Sequence, residues 1–147
     1  MDTKDILYVM TEARQCSLTM FENASYIQQE LVNACLSDDL RTQTTQLCSD
    51  FINTKYDIFS ELSEIDDILD SPNPEPVVLS SYIERIVKWL SDDMSKMHEL
   101  ITALEDVSKL QPDYRLAYVL VAESATNILQ AFNSVQAAVN RIQKDKK

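Results

Sequence analysis

Apolar side chains recur at alternating steps of four and three residues along most of the chain. The longest uninterrupted stripe lies between Tyr114 and Ile142, and its members are Ala117, Val121, Ser124, Ile128, Ala131, Val135, Ala138 and Ile142. A second column beside it contains Tyr118, Ala125, Phe132 and Val139. This spacing is typical of an amphipathic helix in a bundle. An apolar face of this width needs other helices to cover it.

Three more segments have the same period, so the pattern predicts four helices over about 3–36, 39–69, 81–109 and 113–143. The stripe of the first predicted helix consists of Ile6, Met10, Ala13, Ser17, Met20, Ala24, Ile27, Leu31 and Ala34. That of the second consists of Leu40, Thr44, Leu47, Phe51, Thr54, Ile58, Leu62, Ile65 and Leu69. That of the third consists of Ile83, Val87, Leu90, Met94, Met97, Ile101 and Leu104. Short links make consecutive helices antiparallel. We therefore expect one all-α domain over 1–147, a long, left-handed, antiparallel up-down-up-down four-helix bundle with coiled-coil-like packing. A three-helix core with a mobile fourth helix, or a helix-exchanged dimer, would show the same periodicity.

The predicted links contain recognisable helix-end signals. Ser37 precedes two aspartates and fits the cap of the second helix. Three prolines at alternate positions predict an extended loop over 70–80, because proline lacks a backbone donor. Ser81 and Glu84 then fit a capping box that would start the third helix.

The amino-acid composition argues against several classes of function for this protein. The chain contains no glycine, which the common phosphate-binding loop and the dinucleotide fingerprint both require. Its net charge is −11, from 24 acidic and 13 basic residues. Such a surface repels nucleic acid and anionic lipid and favours basic partners. We therefore expect no direct nucleic-acid binding.

The cysteines and the hydropathy pattern bear on location. Cys16, Cys35 and Cys48 are far apart in the chain, and no pair is expected to have disulfide geometry in an antiparallel bundle. Free thiols indicate a reducing compartment, most simply the cytoplasm. No window is apolar enough for a membrane span, and the N-terminus lacks the pattern of a secretory signal.

The sequence contains little that could support catalysis. The single histidine, His98, is preceded three residues earlier by Ser95, which excludes the Glu-x-x-His pairs of di-metal bundles. Glu61, Glu64 and Asp67 could align as a magnesium-binding array. However, the apolar stripe of this helix is expected to face the core, so we expect these acids to point outward. We assign no catalytic residue, cofactor or metal, and we interpret the chain as a non-enzyme.

Two features favour binding to a partner. Between Tyr56 and Ile83 there is no lysine or arginine, whereas seven carboxylates accumulate there: Asp57, Glu61, Glu64, Asp66, Asp67, Asp70 and Glu75. A basic tail over 141–147 is expected at the same end of the bundle and could partly neutralise them. Several apolar residues also lie off the stripes, among them Ile52, Phe59 and Trp89. The predicted partner-binding residues are Ile52, Phe59, Trp89, Glu61, Glu64, Asp66 and Asp67.

These observations favour a protein–protein interaction module, such as a chaperone, an adaptor or an assembly subunit, that binds an amphipathic helix or a basic segment and could itself dimerise. In size, acidity and helix length the chain resembles the bacterial export chaperones of the flagellar and type III kind, which shield amphipathic helices of their clients. One alternative is an acidic inhibitor that mimics nucleic acid and occupies a basic surface. A second alternative is a metal-dependent helical hydrolase that uses Glu61, Glu64 and Asp67.

Overall fold

The computed structural model describes residues 3–31 and 36–144, and it describes side chains as far as Ile142. The described residues form helices and connecting turns, with no strand. In chain order the elements are α1 (Thr3–Leu31), α2 (Asp38–Leu69), α3 (Pro76–Leu110), a short 3-10 turn (Pro112–Tyr114) and α4 (Arg115–Lys144). The all-α class predicted from the periodicity is confirmed.

The four helices form a closed ring in which each helix packs against two neighbours. α1 and α3 both contact α2 and α4. Side-chain pairs between α1 and its neighbours fix the directions. The Arg141 guanidinium lies 5.2 Å from the Tyr8 ring, and the Lys55 ammonium lies 3.9 Å from the Phe21 ring. The start of α1 therefore meets the end of α4, as an antiparallel bundle requires.

The predicted stripes of α1, α2 and α4 form most of the core. Their described members are buried, except for Leu69 and Ala131, which are half-buried. In α3 the stripe is displaced toward the N-terminus at two places. Ile86 and Leu100 are buried, whereas the predicted Val87 and Ile101 are only half-buried. The reason is that each pair consists of two adjacent apolar residues, so the period alone cannot decide which one faces inward.

The start of α3 corrects the sequence prediction. The helix begins at Pro76, not at Ser81, and the expected capping box of Ser81 and Glu84 lies inside it. Proline is tolerated in the first turn of a helix because the missing N–H would have no partner there. Leu79 is buried in the core, which holds this first turn against the bundle. The loop is therefore shorter than the predicted 70–80 segment, and it is not extended at its start, because the amides of Asp70 and Ser71 donate back to the Asp66 and Ile68 carbonyls at the end of α2.

The remaining helix ends lie near their predicted positions. The Leu40 amide donates to Ser37 Oγ at 3.3 Å, which confirms Ser37 as the cap of α2. α1 is described as far as Leu31; residues 32–35 of its predicted range lie outside the described residues, and Leu36, the predicted last residue, does not belong to a helix. α4 begins at Arg115, two residues later than expected, because a 3-10 turn precedes it. Within the described ranges, no helix is long and apolar enough to cross a membrane.

Candidate functional site

Polar side chains bridge α2 and α3 between Asp50 and Glu64 of α2. The Lys96 ammonium donates to Asp50 Oδ2 at 2.9 Å, the Thr54 hydroxyl donates to Asp93 Oδ2 at 2.5 Å, and the Arg85 guanidinium lies 3.8 Å from Glu61 Oε1. A fourth pair joins Glu64 to Tyr82, and this hydrogen bond is the main cause of the raised pKa of the Tyr82 phenol. We call these four pairs the polar seam. Their α2 numbers rise as their α3 numbers fall, as antiparallel packing requires.

Asp93 is the innermost member of the polar seam. It is only 4% exposed, and burial raises the pKa of its carboxyl group from about 3.8 to about 6, although the Thr54 hydrogen bond and the charge of Lys96 act in the opposite direction. Its charge also acts on Cys16 of α1, which lies diagonally opposite in the ring. Asp93 lies on the buried face of α3, three residues after Leu90 and next to the predicted stripe member Met94, which is also buried. Apolar periodicity selects Met94 at this point, and it gives no sign that the neighbouring carboxylate is buried as well.

Glu61 does not point outward as expected. Its side chain is 12% exposed, its Oε1 atom faces Arg85 and its Oε2 atom is buried without a hydrogen-bond partner. Burial is the largest influence on this carboxyl group and raises its pKa, whereas Arg85 lowers it. Glu61 therefore belongs to the contact between α2 and α3.

Glu61, Glu64 and Asp67, which were predicted as a possible magnesium-binding array, have different surroundings in the structure. Glu61 is engaged by Arg85, whereas Glu64 and Asp67 are exposed. Among the described residues, no three histidine, cysteine or acidic side chains lie close enough together to hold a metal ion. His98 is exposed on α3.

The acidic end of the bundle, which we define as the end of α2, the 70–75 loop and the start of α3, presents both charge and apolar surface. The carboxylates of Glu64, Asp66, Asp67, Asp70 and Glu75 are all exposed. Beside them in the chain, Val77 is 80% exposed and Val78 is 37% exposed at the start of α3. The antiparallel ring places the end of α4 at this same end. Residues 145–147 of the predicted basic tail lie outside the described residues, so its effect on the acidic end stays a prediction.

The three apolar residues predicted to bind a partner are all half-buried. Phe59 is half-buried, and its ring lies 5.7 Å from the Lys55 ammonium, which also contacts Phe21 of α1. Trp89 is half-buried, packs against the core and shares the helical face of Arg85. Ile52 is half-buried on α2. Phe59 thus lies on the side of α2 near Phe21 of α1, whereas Trp89 lies on the side of α3 that carries Arg85, the partner of Glu61.

The opposite end of the bundle carries apolar surface that the periodicity did not reveal. Leu110, the last residue of α3, is 85% exposed, and Leu116 in the first turn of α4 is 75% exposed. Both lie beside the short turn that joins α3 to α4. Leucines at a helix end can equally be buried by a neighbouring helix, so the spacing of apolar residues does not distinguish them.

Cys16 and Cys48 are free and buried, in agreement with the prediction that they form no disulfide. Burial raises the pKa of Cys16 to about 12 and that of Cys48 to about 11. Cys35 lies outside the described residues. Buried thiols with raised pKa values are poor nucleophiles.

Comparisons with protein-family models, with curated proteins and with solved structures found no match for this chain. By its fold and surfaces, the protein is an acidic antiparallel four-helix bundle with a polar seam between α2 and α3.

Proposed function

We propose that this protein is a non-enzymatic interaction module that binds a basic amphipathic helix of a partner protein at its acidic end. The observation that carries the proposal is the placement of exposed valines next to exposed carboxylates at one end of the bundle. A partner of this chemistry would bury the valines and pair its cations with the carboxylates. A chaperone, an adaptor or an assembly subunit would use such a surface.

The charge pattern supports a basic partner. No lysine or arginine occurs between Tyr56 and Ile83. Arg85, the first cation after this stretch, is engaged by Glu61 inside the polar seam. The exposed carboxylates at the acidic end therefore have few described cations near them in the chain, and complementary charge would accelerate association with a basic segment.

The apolar side chains support a helix as the binding element. Val77 and Val78 lie in the first turn of α3, next to the 70–75 loop. Contact with the apolar face of a partner helix would remove them from water, and this contribution is insensitive to salt. The free, buried cysteines Cys16 and Cys48 support the further proposal that the protein acts in a reducing compartment, such as the cytoplasm.

The proposal can be tested with a defined peptide. We would measure its affinity by fluorescence anisotropy, using a synthetic helix of about 18 residues, enough for roughly five turns, with leucines on one face and lysines on the other. The first variant combines Asp66→Asn, Asp67→Asn and Asp70→Asn, and the second is Val77→Ser. The expected result is a loss of about tenfold at low salt for the first variant and a several-fold loss at low and high salt for the second.

The opposite end of the bundle offers matched controls. Leu116→Ser removes an apolar side chain of similar exposure, and the combination of Glu105→Gln, Asp106→Asn and Asp113→Asn removes the same number of exposed charges. Both controls should bind the peptide like the wild type. Equal losses in controls and variants would refute a site at the acidic end.

Two further outcomes separate the alternatives. If a peptide with serines in place of its leucines binds as tightly as the original, the protein is better described as an acidic mimic that occupies basic surfaces. Sedimentation of the free protein in the same buffer tests a homodimer, because self-association at this end would compete with the peptide and depend on protein concentration.

A further inference from the structure

Asp93 is the only carboxylate among the described residues that is buried in the bundle. The groups around it come from three helices. Cys16 approaches from α1, where Glu12 also acts on that thiol; Thr54 and Asp50 belong to α2; Asp92 and Lys96 belong to α3 itself. α4 also packs against α3, but none of its titratable side chains as far as Ile142 is among the influences on the pKa of Asp93.

The charged form of Asp93 has little compensation in this position. The nearest hydrogen-bond donor is the Thr54 hydroxyl, and within the described residues Asp93 forms no ion pair. The ammonium of Lys96 is held by Asp50 at 2.9 Å. A buried carboxylate with one neutral donor is costly in its charged form and much less costly when protonated.

We propose that Asp93 and Thr54 form a proton-controlled latch, which holds α2 and α3 together more firmly when the carboxyl group is protonated and more loosely when it is charged. A proton from solvent adds to the carboxylate, no covalent bond breaks, and the Thr54 hydroxyl keeps its acceptor. The latch does not depend on the proposed partner.

Because of the position of the latch, α3 is the helix that we expect to open when Asp93 is charged. α3 has less extensive contacts with its two neighbours than α1 has with its own. Thr54 and Asp93 lie in the middle of the polar seam, between the pairs of Asp50 with Lys96 and of Glu61 with Arg85. A buried charge at this point weakens the interface between α2 and α3 along its length, because the neighbouring pairs are partly exposed and individually weak.

The direction of the pH effect follows from the two states of Asp93. In the closed bundle its pKa is raised to about 6, whereas an open α3 would return it toward 3.8. The closed state therefore binds the proton more tightly, so closure is favoured as the pH falls below 6. The two pKa values imply that α3 opens about tenfold less often at pH 5 than at pH 7.5.

Hydrogen–deuterium exchange of the full chain, corrected for the intrinsic pH dependence of exchange, measures this opening. Wild-type amides of α3 should gain about tenfold protection between pH 7.5 and pH 5. Asp93→Asn has no proton to bind at this position and should lose that gain. Asp92→Asn removes a neighbouring exposed carboxylate whose charge is the smallest of the influences that raise the pKa of Asp93, so this variant should keep the protection gain with only a small shift of its midpoint to lower pH. Because the pKa of Glu61 is also raised, the difference between wild type and Asp93→Asn isolates the latch.

A second variant separates the latch from a purely structural role. Thr54 lowers the pKa of Asp93, so Thr54→Val should move the midpoint of the protection gain to higher pH. A change in stability alone would alter protection at every pH without moving the midpoint. The proposal is overturned if Asp93→Asn keeps the wild-type pH dependence or if Thr54→Val leaves the midpoint in place.

Discussion

The Arg85 guanidinium on α3 lies 3.8 Å from Oε1 of Glu61 on α2, while Oε2 of the same carboxylate is buried without a hydrogen-bond partner. Arg85 is half-exposed and Glu61 is 12% exposed. The Glu61 carboxylate depends on its cation, because removing Arg85 leaves a largely buried negative charge without compensation.

Replacement of Arg85 should therefore destabilise the bundle more than replacement of an exposed cation. We expect Arg85→Met to lower the free energy of unfolding by about 1 kcal/mol, an effect limited by solvent screening at the exposed guanidinium. Lys88→Met, at an exposed site on the same helix, should change it by less than about 0.5 kcal/mol. Urea unfolding at neutral pH measures both. Adding Glu61→Gln to Arg85→Met should restore part of the loss, and the absence of any recovery would argue against the pair.

Asp93 should make the global stability depend on pH. Its pKa is raised in the folded protein, so the folded state binds the proton more tightly and stability rises as the pH falls from about 6 toward 3.8. At pH 7.5 we expect Asp93→Asn to be more stable than the wild type by about 1–2 kcal/mol, because it removes a buried charge. Near pH 4.5 this advantage should disappear. Denaturant titrations at the two pH values provide the test, with Asp92→Asn as the control.

The early start of α3 can be tested through its first turn. Leu79 is 3% exposed, although the local sequence pattern predicts a loop there, whereas Val77 is 80% exposed two residues earlier. Leu79→Ala should cost about 2–4 kcal/mol of unfolding free energy. Val77→Ala should change it by less than about 0.5 kcal/mol. Thermal or urea unfolding that gave equally small effects for both variants would support a loop as far as Ser81.

The two described cysteines should resist thiol reagents in the native protein. Burial raises the pKa of Cys16 to about 12 and of Cys48 to about 11, so neither forms an accessible thiolate near pH 8. In a Cys35→Ser variant, Ellman's reagent should label neither thiol of the folded chain quickly and both thiols in denaturant. Rapid labelling without denaturant would show that the core around these residues opens readily.

Apolar periodicity is enough to determine the helical class and most of the core. The described members of the stripes predicted for α1, α2 and α4 are buried, apart from Leu69 and Ala131, because only one face of a helix can carry such a stripe into the core. Ser37 is recognisable as a cap because its hydroxyl can satisfy a backbone amide of the next turn. These are local properties, and local sequence specifies them.

The contacts between polar residues depend on the tertiary structure and could not be predicted from local sequence. Thr54 and Asp93 lie on different helices, and their contact depends on the register between α2 and α3. The register also gave Glu61 a partner that its local sequence did not indicate. The burial of Leu79 holds the first turn of α3 against the core, so the helix begins at Pro76. The local capping signal of Ser81 and Glu84 had favoured a later start. Apolar periodicity requires four helices that cover one another's apolar faces. Which carboxylates become enclosed between these helices depends on their packing, because burial depends on neighbours that are distant in the chain.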